Sequence, residues 1–251
     1  MSFENCFDGY CVIHAPFATA SRRRWFETEL SRVGIRDFTI IEAKQVDSDD
    51  PRLKYYSANP SGDRVLSNLD AVLASIECAQ SNGWRSVVVF EDDVIFRPSF
   101  PKMWKDVEKE LNVRNWGLIT PFRWPMESLL TVEKLLRKTT LVPIEHNKCC
   151  HCLIIRGDFY EPIRSALQIC VSRGWPSDFF YGVLSSAYPG RLFATSKNLV
   201  GQAGGFASSI QRNFTSHRNF YAAFKCCRST IELHLISLAY RFIKQLRDNV
   251  A

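Results

Sequence analysis

Short runs of consecutive apolar residues alternate along this chain with longer stretches in which apolar positions recur every three or four residues. The first run, residues 10–14, leads through a polar turn into Trp25, Phe26, Leu30 and Val33, a helical spacing that stops at Gly34. Residues 38–41 form a second β-rich run. After the polar stretch 44–63, read as a long surface loop, Val65, Leu66, Leu69, Val72, Leu73 and Ile76 draw one helical face, closed by Asn82 and Gly83. Val87, Val88, Val89 and Phe90 follow as a continuous apolar run, the pattern of a central strand covered on both faces. Residues 103–111 read as helix, 117–120 and 153–155 as strands, and 159–171 as helix. The alternation predicts one α/β domain over residues 1–251, an α/β/α sandwich with a mostly parallel central sheet. Such sheets bind ligands in the crevice beyond the carboxyl ends of their strands.

Composition narrows the class without naming the chemistry. With 46% hydrophobic and 23% charged residues among 251, the chain is neither disordered nor collagenous. No apolar run reaches the length of a membrane span, and the N-terminus lacks the basic flank and apolar stretch of a leader peptide. Nine cysteines, an odd number, argue for reduced thiols, so the expectation is a soluble protein of the cytoplasm. The net charge of +6 is uneven: residues 1–125 carry 16 basic against 18 acidic side chains, residues 126–251 carry 16 against 8. A basic second half suits an anionic partner. Nucleic acid is not the expected one, because no recognition motif accompanies the charge.

The sharpest signal is Glu91, Asp92 and Asp93, directly after the apolar strand and therefore at the mouth of the ligand crevice. Three adjacent carboxylates repel one another, and either solvent or a divalent cation must offset that repulsion. Mg²⁺ or Mn²⁺ takes one or two carboxylates and completes its shell with substrate phosphates, which points to a metal-bound nucleotide. A solvated acidic turn is the plainer alternative. Arg22, Arg23 and Arg24 follow the first strand, where a guanidinium can pair with phosphate or simply face water.

Several blocks together carry a family resemblance. Ser67-Asn68-Leu69 opening a helix, Asn82-Gly83-Trp84 closing it, and the run from Val87 through Glu91-Asp92-Asp93 to Val94 resemble glycosyltransferase family 25, the lipopolysaccharide and collagen galactosyltransferase group. Val12-Ile13-His14 with the arginine-rich turn, Leu153-Ile154-Ile155-Arg156, Pro176-Ser177-Asp178 and Leu199-Val200-Gly201-Gln202 are similar to further landmarks, so that the likeness runs from about residue 10 to about residue 210. The resemblance implies a GT-A type fold and a transferase that moves a sugar from a nucleotide-sugar donor, UDP-sugar first, to a saccharide or glycan acceptor. In that reading Asp93 is the direct ligand of Mn²⁺ or Mg²⁺ with Glu91 assisting, and Asp92 contacts the nucleotide. His14 and Phe17 lie nearest uracil and ribose, Arg22 and Arg24 meet phosphate, and Asn68 and Gln202 complete the donor site. The chain has His14-Ala15 where family members have Asn-Leu, Ser67-Asn68 where they have Ser-His, and Ser208-Ser209-Ile210 where they have Ser-Asp-Ile. These differences motivate a second hypothesis, a non-catalytic sugar-nucleotide or glycan-binding protein; a third is another metal-dependent phosphate-processing enzyme.

Inverting transfer needs a base for the acceptor hydroxyl, and Asp178 is the candidate. Trp175, Phe179 and Tyr181 around it would stack on sugar faces and desolvate the carboxylate; the alternative is that Ser177 or Asp178 caps a helix. Cys149, Cys150, His151 and Cys152 do not make a zinc knuckle, because neighbours in an extended strand face opposite ways, and they read as buried small side chains. Residues 225–251 form a basic amphipathic helix, which packs on the domain or lies on an anionic membrane.

Overall fold

The computed structural model describes residues 3–15, 20–59, 61–122, 140–147 and 150–203. Phe17, Ser208, Ser209 and the expected helix at 225–251 lie outside the described residues.

Two helical layers enclose a seven-stranded sheet ordered β2-β1-β3-β7-β5-β8-β6. The strands are β1 (Gly9–His14), β2 (Thr39–Glu42), β3 (Ser86–Glu91), β5 (Leu118–Thr120), β6 (Leu141–Pro143), β7 (Cys152–Arg156) and β8 (Leu192–Thr195). β4 (Val94–Phe96) and β9 (Val200–Gln202) form a separate antiparallel pair. β2, β1, β3, β5 and β8 run one way while β7 and β6 run against them, so the α/β sandwich expected from the sequence is present with a mixed, largely parallel sheet.

The period of two in the central strands builds both cores. Cys11, Ile13, Val87, Val89, Leu153 and Ile155 meet α2 (Gly62–Ser81), α4 (Tyr160–Arg173) and α5 (Phe180–Ala187) on one face. Tyr10, Val12, Val88, Phe90, Cys152 and Ile154 meet α1 (Ala20–Arg32) and α3 (Phe100–Leu111) on the other. The α3 side is aromatic: Phe100 stacks on Trp104, and Phe3 meets both edge-on. Glu110 on α3 takes the backbone N–H of Thr140 and, at 2.8 Å, its hydroxyl, which fastens the start of β6.

The stretch expected as a long loop carries structure. Its 3-10 turn, Pro51–Tyr56, begins where Asp50 accepts the Arg52 N–H at 2.9 Å, and the Arg52 guanidinium then reaches Asp70 on α2 at 2.7 and 2.9 Å. Among the described residues every cysteine is a free thiol, and no helix is long and apolar enough to cross a membrane.

α2 ends as its sequence requires, with Asn82 as C-cap and Gly83 at φ +66°. Gly174 ends α4 in the same left-handed region, at φ +64°, but a Cβ there would press on the Tyr55 carbonyl oxygen, whereas Gly83 faces open space. Gly83→Ala is therefore expected to cost about 1 kcal/mol, the left-handed strain alone, and Gly174→Ala about 2–3 kcal/mol with the carbonyl contact added. Urea unfolding of both variants beside the wild type reads the difference, and equal losses would contradict the close approach of the Pro51–Tyr56 turn to α4.

Candidate metal centre and its surroundings

β1 and β3 pair in parallel with Ile13 opposite Glu91, so His14 and the acidic turn leave the sheet at the same carboxyl edge. β7 runs the other way, with Cys152 opposite Phe90, and its N-terminal end arrives at that edge. The result is a histidine beside the carboxylates: Glu91 N–H donates to the His151 carbonyl at 3.1 Å, and His151 Nδ1 lies 2.6 Å from Glu91 Oε2. Asp92 and Asp93 turn the chain into β4, whose pairing with β9 sets Val94 opposite Gln202. Gln202 Nε2 thereby donates to Asp93 Oδ2 at 2.9 Å, and the Ala203 N–H to the Asp93 carbonyl at 2.6 Å.

Both aspartates are deeply buried, Asp92 2% and Asp93 4% exposed, so their charges cannot be left to solvent. Asp92 is held from three sides. Arg22 reaches its Oδ1 at 2.6 Å, while His14 Nδ1 at 2.8 Å and the Ala15 N–H at 3.0 Å share its Oδ2. The same Arg22 nitrogen lies 3.1 Å from Asp93 Oδ2. Asp93 Oδ1, by contrast, is buried without a hydrogen-bond partner, as is Asn68 Oδ1, whose amide nitrogen donates to Glu91 Oε1 at 3.3 Å.

The electrostatics divide the acids. Burial pushes Glu91 up, but the adjoining His151, Arg22 and Asn68 prevail and hold its carboxyl below the usual range. Burial and the charge of Glu91 together raise Asp93 above its ordinary value against the pull of Arg22, His151 and Gln202. One oxygen or nitrogen from each of Glu91, Asp93 and His151 lies within 4.8 Å of the others, a spacing that one cation can span.

His14, Arg22, Asn68, Glu91, Asp92, Asp93 and Gln202, seven residues expected at the site, thus converge. Arg24 does not join them and is exposed on α1. Asp178 is close by on another turn: its Oδ1 accepts from Cys150 Sγ at 3.6 Å, one residue before His151. Pro176 and Phe179 hold the cap positions of the 3-10 turn Ser177–Phe179 and of α5, so neither Ser177 nor Asp178 is the N-cap. Tyr181 is fully buried, its hydroxyl held by Thr120 and Asn147, and it presents no face to a sugar. His151 was missed by sequence reasoning; the signal was a ligating side chain immediately before a core strand, and it reads correctly only once that strand is known to be antiparallel.

No protein-family model matches the chain, and no curated protein matches it in sequence. Solved structures do. A glycosyltransferase involved in glycosylation of the major capsid of PBCV-1 is similar at 14% identity over 74% of this chain and 81% of its own, with a TM-score of 0.42. A197 from STIV is similar at 11% identity over 85% and 99%, with a TM-score of 0.44. Mouse xyloside xylosyltransferase 1 in its apo form follows at 10% identity over 73% and 71%, with a TM-score of 0.34. The similarity to these structures is one of chain path and assigns no residue a role.

Arg22 is a buried guanidinium shared by two buried carboxylates, so removing it takes that positive charge from both at once. Arg22→Met is expected to lose about 3 kcal/mol or more in urea unfolding at neutral pH. A loss below about 1 kcal/mol would mean that the acidic turn is neutralised by something else.

Proposed function

We propose that this chain is a metal-dependent glycosyltransferase that moves a sugar from a nucleotide-sugar donor, UDP-sugar first, to a saccharide or glycan acceptor with inversion at the anomeric carbon. The observation that carries the reading is the cluster of Glu91, Asp93 and His151 at the carboxyl edge of the sheet, with a buried, unpartnered oxygen on Asp93. An orphaned acceptor in such a place fits a cation, and the mixed carboxylate and imidazole donors suit Mn²⁺ better than Mg²⁺. Asp93, Glu91 and His151 would hold it. When bound, a divalent ion offsets the negative charge that develops on the departing nucleoside diphosphate.

The other residues then divide the work. Arg22 and His14 fix Asp92 and with it the backbone of the turn, so Asp93 is aimed before the donor arrives. Asn68 orients Glu91, and Gln202 orients Asp93 from the far strand. His14 and Asn68 border the donor crevice at the carboxyl edge, where nucleoside and phosphates belong in this type of sheet. Asp178 takes the proton of the acceptor hydroxyl as that oxygen bonds to the anomeric carbon; the bond from that carbon to the phosphate oxygen breaks, and its electron pair leaves with the nucleoside diphosphate.

Arg22 itself favours a second reading. A guanidinium already seated between Asp92 and Asp93 is what a protein without a metal would use, which suits sugar-nucleotide binding without turnover. Mn²⁺ titration followed by electron paramagnetic resonance, with a UDP-sugar hydrolysis and transfer assay, separates the two. Asp93→Asn is expected to abolish Mn²⁺ binding and metal-stimulated turnover. Asp178→Asn is expected to lower transfer by about 10²-fold or more while Mn²⁺ and UDP still bind. A folded Asp93→Asn protein with wild-type turnover would overturn the metal assignment, and unchanged transfer in Asp178→Asn would remove that residue from the reaction.

A further inference from the structure

The turn that carries Asp178 bears two exposed aromatic side chains. Trp175 and Phe179 are 37% and 54% exposed, with ring centroids 5.5 Å apart and planes tilted by 33°, whereas the next two aromatics, Phe180 and Tyr181, are fully buried. Large exposed apolar side chains are uncommon among the described residues, and two in contact mark a surface that meets something. Their base is fixed: the buried Tyr56 donates its hydroxyl to the Trp175 carbonyl at 3.1 Å, and the neighbouring Tyr55, 46% exposed, has its backbone against Gly174. Between the two rings in sequence stand Ser177 and Asp178, and both lie near Cys150 Sγ, at 3.9 and 3.6 Å, one residue from His151.

A partner for this turn must be apolar on one face and rich in hydroxyl donors at its rim. A pyranose ring meets that description. Its axial C–H bonds present weakly positive hydrogens to the negative face of an aromatic ring, and its equatorial hydroxyls donate to a carboxylate and exchange hydrogen bonds with a serine hydroxyl. The Ser177–Phe179 turn itself carries an acid, Asp178, and no basic side chain, which disfavours an anionic ligand against a neutral sugar. We infer that Trp175 and Phe179, with Ser177 and Asp178 between them, form a saccharide subsite that takes a neutral pyranose. That this sugar is the acceptor rests on the transferase reading; that it binds here does not. The rings supply the contact area, and a turn already fixed by Pro176 and Tyr56 limits the ordering cost of binding.

Saturation-transfer NMR of the full chain with lactose, cellobiose, maltose and xylobiose tests this directly. Wild type and Val113→Ala, a control at an exposed apolar position remote in sequence from the turn, should show transfer to the C–H protons of at least one disaccharide. Trp175→Ala and Phe179→Ala should each weaken that binding about tenfold or more, and Trp175→Phe should restore most of it. Wild-type protein that binds none of the four, or Ala variants that bind as wild type does, would overturn the inference. So would sedimentation showing that the aromatic pair instead joins two copies of the chain, with Phe179→Ala dissociating them. Mn²⁺ titration of the same samples reads the acidic cluster separately. No saccharide binding with Mn²⁺ bound rejects the subsite alone, whereas saccharide bound by a wild type that takes no Mn²⁺ rejects the transferase reading and leaves the subsite standing.

Discussion

Three consecutive carboxylates leave the central strand of this protein into a space nearly closed to water, and their mutual repulsion is the constraint the surrounding structure answers. In bulk solvent it would be minor; at 2% and 4% exposure for the two aspartates it is severe. The acids draw their cationic and donating partners from several elements, with Arg22 shared between Asp92 and Asp93. α1 sends Arg22, β1 sends His14, the residue before β7 is His151, α2 offers Asn68 and β9 offers Gln202. Five elements, from β1 to β9, are thus tied to one turn. The compensation stops one oxygen short, at Asp93 Oδ1. A buried acceptor without a donor costs about 1–3 kcal/mol, a penalty that a bound cation would remove.

The sheet makes that gathering geometrically cheap. Parallel β1 and β3 deliver His14 and Glu91 at one edge, and reversal of β7 brings a third side chain there from the opposite chain direction. An all-parallel sheet would place the residue preceding β7 at the far edge, and Glu91 would lose its strongest neutralising partner. The same reversal carries Cys150 toward Asp178, so the turn with the exposed rings is tied to the strand whose preceding residue, His151, meets Glu91. The mixed topology is therefore part of the site.

Local pattern revealed what depends on local pattern. The uninterrupted Val87 to Phe90 run, the α2 stripe with its Asn82-Gly83 stop, and the acidic turn after β3 are each set by neighbours in sequence, and they stand where the periodicities place them. β4, β6 and β9 have three residues each, too few to show a period of two, and they exist because of long-range pairing. His151 was legible as a residue type but not as a neighbour of Glu91, because strand direction is not written in an apolar run. Tyr181 fails as a platform residue because the phase of α5 turns it inward with Phe180 and Leu184. Arg22 and Arg24 differ for the same reason: two positions apart on α1, they point to different sides, one into the acids and one into water.

The most direct test is where a cation sits. In crystals of the full chain soaked with Mn²⁺, anomalous difference density is expected between Glu91, Asp93 and His151, with Arg22 retained on Asp92. Saturating Mn²⁺ that leaves no anomalous peak there, with Arg22 still shared between Asp92 and Asp93, would contradict the reading of the acidic turn as a metal centre.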